Sequence, residues 1–383
     1  MKEPKIRFKG FSGEWKECTL SNIITVNSGK DYKHLEKGTI PVYGTGGYML
    51  SVNTSLSEHD AIGIGRKGTI DKPQYLKAPF WTVDTLFFLT TNNGDNLDFL
   101  FNLSQNIRWQ KYDESTGVPS LSKNNIDKIK TCIPNKFEQQ SVASFFTSLD
   151  AQISASTSRL ASLKQMKAAS LQAMFPQEGE TVPKVRFKGF EGEWKKVKLS
   201  ECLEISTERN LNNEYGVNEV LSVSDEEGVM NQIKLLGRSY AGKSVTNYKI
   251  LRTNQVVYTK SPLKAKPYGI VKVNKGETGI VSVLYAVYDA KECVSPDYIH
   301  YYFEPTFRIN NYLLPLINKG AKNTMNISDE VSLQGDIILP NTLEEQLRIV
   351  EYLQTLDRQI ALHAQRLEKL KQIKAACLDK MFV

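Results

Sequence analysis

The sequence is poor in the residues that build metal sites and disulfides. It holds five cysteines and four histidines in 383 residues, and no two cysteines form a CxxC pair. This excludes a cysteine-based zinc site and a disulfide framework, and it is typical of reduced cytoplasmic thiols. No run approaches the ~20 apolar residues that a membrane span requires, and no apolar segment follows the charged start. We therefore expect a cytoplasmic protein with no metal site and no membrane contact.

Catalytic motifs are also missing. The chain has no HExxH, no (N/D)PP(Y/F) amino-methyltransferase motif, and no convincing Ser/His/Asp or Cys/His set. We expect no catalytic residues in this chain, and hence no enzyme activity of its own.

The net charge of +7 is unevenly distributed. Residues 1–16 carry five basic and two acidic side chains, whereas residues 17–135 carry twelve of each. Residues 196–340 carry seventeen basic and sixteen acidic side chains. A nucleic-acid surface in these nearly neutral regions would require folding to concentrate the basic groups, or a partner to supply phosphate attraction. Charge alone therefore does not predict a DNA-binding protein.

The sequence does contain a repeated frame around two unlike interiors. The segment KIRFKGFSGEWK (5–16) returns as KVRFKGFEGEWK (184–195), and residues 138–175 match residues 345–382 at a constant offset of 207. The interiors, roughly 17–135 and 196–340, do not visibly match each other. This pattern indicates two copies of one structural unit, whose different interiors serve two different functions.

The second repeated segment predicts one long helix in each copy. Apolar residues recur at spacings of four and three, with Leu149, Ile153, Leu160 and Leu163 in the first helix and Leu356, Ile360, Leu367 and Leu370 in the second. We expect Met166 and Ile373 to add bulk beside this stripe, where lysine interrupts it. A narrow stripe on a helix roughly 55 Å long cannot be buried alone, so we predict an antiparallel coiled coil that acts as a spacer. Two ordinary helices in one globular core are the alternative.

The interiors alternate short β-rich runs with turns. We predict strands at 23–26, 39–43, 61–64 and 82–89 in the first, and at 219–223, 255–259, 268–273 and 279–287 in the second. Each interior is thus predicted to be a compact α+β domain around a twisted, mixed sheet, with an internal pseudo-two-fold repeat relating the two copies. The predicted boundaries are 1–135 for the first domain, 136–175 for its helix, 176–183 for a linker, 184–340 for the second domain and 341–383 for its helix.

Two glycine motifs match nucleotide-binding patterns. Residues 237–244 (GRSYAGKS) fit GxxxxGK[ST], and residues 63–68 (GIGRKG) fit GxGxxG. The first pattern needs a buried strand before it and a long helix after it, but residues 245–251 (VTNYKIL) are largely β-branched and aromatic. Pro73 prevents a useful helix after the second, which we interpret as a glycine turn carrying Arg66 and Lys67. A P-loop nucleotide-binding protein using residues 237–244 is kept as an alternative function.

The repeated motifs resemble those of the specificity (S) subunit of type I restriction-modification enzymes. The resemblance covers essentially the whole chain. It rests on the RFKGFxGEW entries (7–15 and 186–194), the PNxxEQ-type helix starts, the LDxQI segments (149–153 and 356–360) and the LKQ(M/I)KAA segments (163–169 and 370–376).

This resemblance implies a DNA-reading subunit without catalytic activity. Two target-recognition domains would each read one half of a bipartite, asymmetric target in double-stranded DNA, and the two helices would set the gap. The implied partners are two methylation (M) subunits, which use S-adenosylmethionine, and two restriction (R) subunits, which use ATP and Mg. No cofactor is expected in this chain itself.

Arg, Lys, Asn, Ser and Tyr on glycine-containing loops supply the contacts that DNA grooves and phosphates require. In the first domain the candidates are Lys30, Tyr32, Lys33, His34, Tyr43, Thr45, Tyr48, Arg66, Lys67, Ser120, Lys123 and Asn124. In the second they are Arg209, Asn210, Ser224, Lys260, Ser261, Lys264, Lys266, Tyr268, Lys319, Lys322, Asn323 and Thr324. A coiled-coil scaffold without DNA function is the remaining alternative. It predicts that removing charge at Arg66 and Lys67, or at Lys264 and Lys266, leaves every activity intact.

Overall fold

The computed structural model describes residues 2–242, 244–260, 266–319 and 325–383, with only the backbone described at 318, 319, 325 and 326. The chain divides into two compact units. Unit 1 comprises Met1–Arg159 and His363–Val383, and unit 2 comprises Leu160–Leu362. Among the described residues, no helix has the length and apolar character that crossing a membrane requires.

Unit 1 combines short strands, which are antiparallel except for the parallel pair of β3 and β7, with short helices. Its strands are β1 (Lys16–Thr19), β2 (Ile24–Ser28), β3 (Lys37–Gly44), β4 (Gly47–Val52), β5 (Ala61–Gly65), β6 (Gln74–Leu76), β7 (Trp81–Thr82), β8 (Leu86–Thr91) and β9 (Lys130–Ile133). Its helices are α1 (Leu20–Ile23), α2 (Leu97–Asn106), α3 (Lys123–Lys128), a 3₁₀ turn (Trp109–Tyr112) and the first part of the long helix α4 (Lys136–Ala173). The strands form sheets of order β2-β8-β5-β6 and β4-β3-β7, and β1 pairs with β9.

Unit 2 has more inserted elements. Its strands are β10 (Lys195–Lys198), β11 (Leu203–Ile205), β12 (Leu221–Ser224), β13 (Gly228–Asn231), β14 (Lys249–Leu251), β15 (Val256–Tyr258), β16 (Val271–Val273), β17 (Gly279–Val281), β18 (Ala286–Ala290), β19 (Asn318–Lys319), β20 (Met325–Asn326) and β21 (Asp336–Leu339). Its helices are α5 (Leu199–Cys202), α6 (Gln232–Leu236), α7 (Pro296–Phe303), α8 (Thr306–Leu313), 3₁₀ turns (Val217–Glu219, Leu314–Leu316, Val331–Leu333) and most of the long helix α9, whose full extent is Leu343–Met381.

The two units share one sheet topology although their interiors do not match in sequence. The antiparallel order β2-β8-β5-β6 in unit 1 corresponds to β11-β18-β15-β16 in unit 2, and the pair β1-β9 corresponds to β10-β21. The units differ in what is inserted: β3 and β4 lie between β2 and β5, whereas β12, β13, α6 and β14 lie between β11 and β15. The prediction of two domains of mixed helix and strand is confirmed.

Two long predicted strands are wrong in the same way. The run 82–89 is split between β7 and β8, and the run 279–287 is split between β17 and β18. In each case a tight turn interrupts the apolar run, with the amide of Leu86 donating to the Val83 carbonyl and the amide of Tyr285 to the Ser282 carbonyl. The second turn has Val283 and Leu284 at its centre, so hydrophobic period does not reveal it, whereas the first contains Asp84, a turn-forming residue that the prediction overlooked.

The repeated entry segment is attached to the start of each long helix by a buried carboxylate. Glu138 is 1% exposed and accepts two hydrogen bonds from the Arg7 guanidinium, at 2.7 and 2.8 Å, and one from Trp15 Nε1 at 3.3 Å. In unit 2, Glu345 accepts the same three bonds from Arg186 and Trp194, at 2.7, 2.9 and 3.3 Å. A bidentate pair of this kind fixes both distance and orientation.

The next residue of each long helix attaches the interior. Gln139 Oε1 accepts the amide of Asn96, the N-cap of α2, at 3.0 Å. Gln346 Oε1 accepts the amide of Ser295, the N-cap of α7, also at 3.0 Å. Both glutamines are buried, so each satisfies a backbone group that water cannot reach.

Within each unit, a segment of α4 and a segment of α9 run antiparallel. In unit 1, Lys374 contacts Asp150 at 2.6 Å, and the ring of Phe382 lies 5.9 Å from that of Phe146. In unit 2, Lys167 contacts Asp357 at 2.7 Å, and the hydroxyl groups of Ser170 and Tyr352 are 3.3 Å apart. In both units the residue numbers of these contacts rise along one helix while they fall along the other, as they do in an antiparallel pair.

The predicted stripe faces inward along both helices. The following side chains are buried or half-buried: Leu149, Ile153, Leu160, Leu163, Leu356, Ile360, Leu367 and Leu370. Met166 and Ile373 instead point outward, with 44% and 39% of their surface exposed. The expectation that they add bulk at the stripe is wrong, because the neighbouring Lys167 and Lys374 occupy the inward position.

Candidate nucleic-acid interface

The candidate residues of unit 1 lie at one end of its four-stranded sheet. Ser28 at the end of β2 pairs with Phe87 near the start of β8, and Gly65 at the end of β5 pairs with Leu86. The segments that follow β2 and β5 therefore leave the sheet at the same end. The start of α4, to which the repeated entry segment is attached, lies toward the other end of the sheet. There Lys136 Nζ donates to the Asn93 carbonyl, just beyond β8.

The first of these segments, residues 29–34, packs against the connection between β7 and β8. The amide of Lys30 donates to the Thr82 carbonyl, and Trp81 Nε1 donates to the Lys30 carbonyl, both at 2.9 Å. The exposed imidazole of His34 lies edge-on to the Trp81 ring at 6.0 Å. The side chains of Lys30 and Lys33 are exposed, whereas Tyr32 is half-buried against the local apolar cluster.

The hairpin of β3 and β4 brings a second group of candidates to this end. Val83 donates its amide to the Tyr43 carbonyl at 3.0 Å, which joins the end of β3 to the segment described above. Gln74 Nε2 donates to the Gly44 and Thr45 carbonyls at 3.0 and 3.1 Å and thereby fixes the hairpin tip. Tyr48 stands on this tip with 63% of its surface exposed.

The turn after β5 completes the surface. The amide of Leu121 donates to the Arg66 carbonyl at 2.9 Å, and the amide of Gly68 donates to the Pro119 carbonyl at 2.8 Å, so Ser120 lies beside Lys67. A Cβ on Gly65 would come within 2.0 Å of the Thr69 carbonyl oxygen, so this position requires glycine. The GxGxxG match is therefore a tight turn, as we interpreted it, and no helix follows it.

Arg66 and Lys67 project from this turn into solvent. Both are exposed, and the Arg66 guanidinium lies 5.8 Å from the centre of the Phe87 ring. Lys123 and Asn124, also exposed, occupy the first turn of α3, whose N-cap Ser122 accepts the amide of Asn125 at 3.2 Å. Exposed cations, amides and a hydroxyl-bearing ring on adjoining loops can bind phosphates and base edges.

In unit 2 the structure corrects one candidate and finds two others in ion pairs. Asn210 is 1% exposed, and its side chain binds the backbone of Tyr215 and Val245. It holds its own loop together and is not available to DNA. Lys260 and Lys266 are engaged in ion pairs, the first with Asp329 at 2.6 Å and the second with Asp225 at 2.8 Å.

Each of these two aspartates lies within ion-pair distance of two lysines. Asp329 also pairs with Lys249, and Asp225 lies 3.5 Å from Lys272. Burial alone would raise the pKa of each carboxyl, but hydrogen bonds and charge from the lysines outweigh it and hold both pKa values below the ordinary range. Lys266 additionally donates to the Glu304 carbonyl at 3.0 Å, at the end of α7. Lys260 and Lys266 therefore join separate segments of unit 2, and their contact with DNA stays a prediction.

The other candidates of unit 2 are scattered. Arg209 is exposed and donates to the Asn247 carbonyl at 3.1 Å, and Ser224 accepts the amide of Glu227 at 3.2 Å. Tyr268 is half-buried, and its carbonyl accepts the Tyr258 hydroxyl at 2.8 Å. Five candidates lie outside the described residues: Ser261, Lys264, Lys322, Asn323 and Thr324. Of Lys319 only the backbone is described.

The GxxxxGK[ST] match lacks the surroundings of a phosphate loop. Gly237 ends the short helix α6 with a φ of 78°, and no strand leads into it. In the described residues after it, a turn at 247–248 leads directly into β14, with no helix between. Lys243 itself lies outside the described residues. Among those described, no three His, Cys, Asp or Glu side chains are grouped to hold a metal ion.

Comparison with solved structures shows the same fold. The S subunit of a type I restriction-modification system from M. genitalium is 11% identical, with a TM-score of 0.68 over 100% of this chain and 99% of that one. A structure titled as the structural basis of complex assembly and conformational transition of the type I R-M system is 16% identical, with a TM-score of 0.50 over 96% and 97%. The HsdS subunit of Thermoanaerobacter tengcongensis is 16% identical, with a TM-score of 0.44 over 100% and 99%.

Sequence comparison identifies the family. No curated protein matches the chain significantly. The family model described as the type I restriction modification DNA specificity domain matches twice, over residues 12–165 and 191–372. The two matches fall on the two repeated halves and confirm the resemblance inferred from the motifs. The chain therefore belongs to the family of type I restriction-modification DNA specificity subunits.

Proposed function

We propose that this chain reads a bipartite, asymmetric DNA target and brings it to methylation subunits that bind along its helices. The observation that carries the proposal is the pairing of one shared sheet topology with two different sets of inserted loops. Base edges differ between half-sites, so the loops that read them must differ. A homodimer would present identical loops and would read a palindrome.

For the first half-site we propose contact through the sheet end built above. Lys30, Lys33, Arg66 and Lys67 are exposed there and can bind phosphates, while Tyr48 on its hairpin tip can reach a base edge. For the second half-site we propose contact through the exposed Arg209, together with the candidates outside the described residues. DNA affinity should fall as salt rises, because phosphate contacts release counterions.

We further propose that α4 and α9 pack along their length as one antiparallel coiled coil, which spaces the two domains. The inward stripe and the antiparallel contacts within each unit support this arrangement. Half-site centres on the order of 10 base pairs apart would let both domains approach one face of the duplex.

Docking of the methylation subunit is supported by a face that is exposed and repeated. Positions that match between the two helices include outward ones, where packing inside the chain does not demand the match. The exposed identical pairs are Gln152/Gln359, Arg159/Arg366, Lys164/Lys371, Gln165/Gln372, Ala168/Ala375 and Ala169/Ala376. The exposed Met166 and Ile373 lie among them. We propose that one M subunit docks on each copy, and that S-adenosylmethionine, ATP and Mg serve the M and R subunits.

The test is a genome-wide adenine-methylation map of cells that express the M subunit with and without this chain. We expect a bipartite, asymmetric motif only when the chain is present. Replacing Arg66 and Lys67 with alanine should weaken methylation at every target. If the active, bound M subunit marks no such motif, the proposed function is wrong. If the double variant changes nothing, the scaffold alternative gains support.

A further inference from the structure

We propose that each half of the chain carries a second contact site for the M subunit, beside the end of a long helix. We name this site the repeat patch. It consists of Lys5, Ile6 and Lys9 in unit 1 and of Lys184, Val185 and Lys188 in unit 2. Its occupant is an apolar segment of the M subunit flanked by acidic side chains. The inference rests on the proposed function, because it assumes a partner bound in two copies.

The repeat patch is exposed in both units. Ile6 and Val185 expose 46% and 54% of their surface, and all four lysines are exposed as well. In the part of the chain that the structure describes, none of these lysines has a carboxylate within ion-pair distance. The patch therefore offers two free cations around one apolar side chain.

Packing explains why other residues of the entry segment repeat, but it does not explain these. Arg7 and Trp15 repeat because they bind the buried Glu138, and Phe8 packs edge-on against Phe145 with ring centres 5.8 Å apart. Gly10 adopts a φ of 98°, which favours glycine. Among the residues that the structure describes, the four lysines of the repeat patch make no such contact.

One exposed position in the same segment differs between the two units, as expected where no contact constrains the residue. Ser12 in unit 1 corresponds to Glu191 in unit 2, and both are exposed. Solubility requires polar character at such positions but no particular residue. Lysine is retained at the patch, whereas this neighbour differs in charge and size between the two halves. The difference indicates that the lysines contact the same partner in both halves.

The location of the patch favours a protein over the half-site DNA. In each unit the variable loops leave one end of the four-stranded sheet, and the entry segment attaches toward the other end. The patch instead continues the end of a long helix. The amide of Ile6 donates to the Lys380 carbonyl at 3.0 Å, and the amide of Val185 donates to the Ala173 carbonyl at 2.9 Å.

This continuity joins the patch to the proposed docking face. In unit 1 the exposed Ile373 and Ala376 precede Lys380 on the same helix, and in unit 2 the exposed Met166 and Ala169 precede Ala173. One subunit can therefore cover the helix face and reach the patch without crossing the variable loops. Acidic groups on that subunit would meet lysines that have no carboxylate partner among the described residues, which makes binding salt-dependent.

The first experiment reverses charge in one half at a time. The variants K5E/K9E, K184E/K188E and the combined fourfold change are titrated with purified M subunit, and stoichiometry is followed by native mass spectrometry. We expect each double variant to bind one M subunit normally and the other about tenfold more weakly, and the fourfold variant to weaken both. The matched control K72E/K111E reverses two exposed lysines of unit 1 that are not repeated, and it should bind two M subunits normally.

A second measurement uses the unaltered chain and so does not depend on how a variant folds. Acetylation rates of Lys5, Lys9, Lys184 and Lys188 are compared with and without saturating M subunit, and with target DNA alone. We expect protection by the M subunit and none by DNA. Protection by DNA alone, or normal binding of two M subunits by the fourfold variant, would overturn the inference and leave the proposed function standing. If the unaltered chain binds no M subunit, both this inference and the proposed function are wrong.

Discussion

Lys374 Nζ and Asp150 Oδ1 lie 2.6 Å apart, and the same two repeat positions meet again as Lys167 and Asp357 at 2.7 Å. Each lysine comes from an LKQ(M/I)KAA segment and each aspartate from an LDxQI segment. The lysines that interrupt the apolar stripe are therefore matched by carboxylates across the helix pair. Polar groups in such a seam limit the ways in which two helices can pair.

The two pairs should differ in their contribution to stability. Lys167 also binds Glu304 at 2.6 Å, and Tyr301 donates to Asp357 at 2.7 Å. We expect Lys167→Met to lower the free energy of unfolding by about 3 kcal/mol, because it leaves two carboxylates without this cation, one of them the mostly buried Glu304. Lys374→Met removes the partner of the half-exposed Asp150 alone and should cost about 1 kcal/mol or less. Denaturant titration of both variants checks this, and equal losses would contradict it.

The carboxylate at the start of α9 offers a matched comparison with its neighbour. Glu345→Ala removes the partner of Arg186 and Trp194 and leaves a guanidinium in a mostly buried pocket, so we expect a loss of about 3 kcal/mol in unfolding free energy. Glu344→Ala changes an exposed residue and should have little effect. Urea denaturation measures both. A similar loss in the two variants would show that the buried contacts of Glu345 with Arg186 and Trp194 are not the source of this stability.

Unit 2 should weaken in mild acid. Burial, with a smaller effect from the charge of Lys272, lowers the pKa of the His300 imidazole to about 3, and its Nδ1 donates to the Val271 carbonyl at 3.2 Å. In the unfolded chain this pKa is about 6.5, so the unfolded state binds the proton first. The folded state should lose about 2 kcal/mol between pH 6.5 and pH 5.

The check is a set of unfolding curves at several pH values. The variant His300→Gln should lack this part of the pH slope, whereas His59→Gln, at an exposed site in unit 1, should keep it. An unchanged slope in the first variant would place the acid sensitivity elsewhere.

The pair of Lys266 and Asp225 should affect one half-site only. Asp225→Asn leaves Lys266 and Lys272 close together without a counter-charge, so the loops that they hold should shift. We expect relaxed base preference in the second half of the methylated motif and an unchanged first half. Lys266→Met should give the same change, and the double variant should be no worse than either single one. Stronger DNA binding by Asp225→Asn would instead mean that Lys266 binds phosphate directly.

Lengthening both helices should lengthen the gap in the target. Seven residues inserted after Arg159 and seven after Leu362 add about 10 Å of helix, which corresponds to about three base pairs. These points are where the chain divides between its two units. The methylation map should show the same half-sites with a longer gap. Altered half-sites at the old spacing would contradict the spacer role.

Local periodicity made the helices and their inward stripe predictable. The spacing of Leu149, Leu163, Leu356 and Leu367 depends only on helical geometry, and all four side chains are buried. The ion pairs across the stripe were not predictable in this way, because they depend on which segment lies opposite. One signal did exist: Asp150 and Lys167 repeat at Asp357 and Lys374 although neither is apolar.

The candidate DNA contacts were less predictable for a different reason. A polar residue on a loop can point to solvent or inward to satisfy the backbone, and composition does not distinguish the two cases. Asn210 follows the exposed Arg209, yet it turns inward to bind its own loop. Lys260 and Lys266 likewise depend on Asp329 and Asp225, which are distant in sequence.

Gln139 and Gln346 each accept one backbone amide of the interior, at the N-caps of α2 and α7. Gln346 also donates to the Cys293 carbonyl, and Gln139 also donates to the Asp95 carboxylate. Backbone groups are present whatever side chain stands there, so Asp95 is the one interior side chain that these two glutamines bind in the described residues. The attachment therefore makes few demands on the sequence of the interior, beyond a helix that starts at the right place. An unrelated interior that offers such a helix could therefore be exchanged into either frame, and the repeated surfaces of the frame would stay the same.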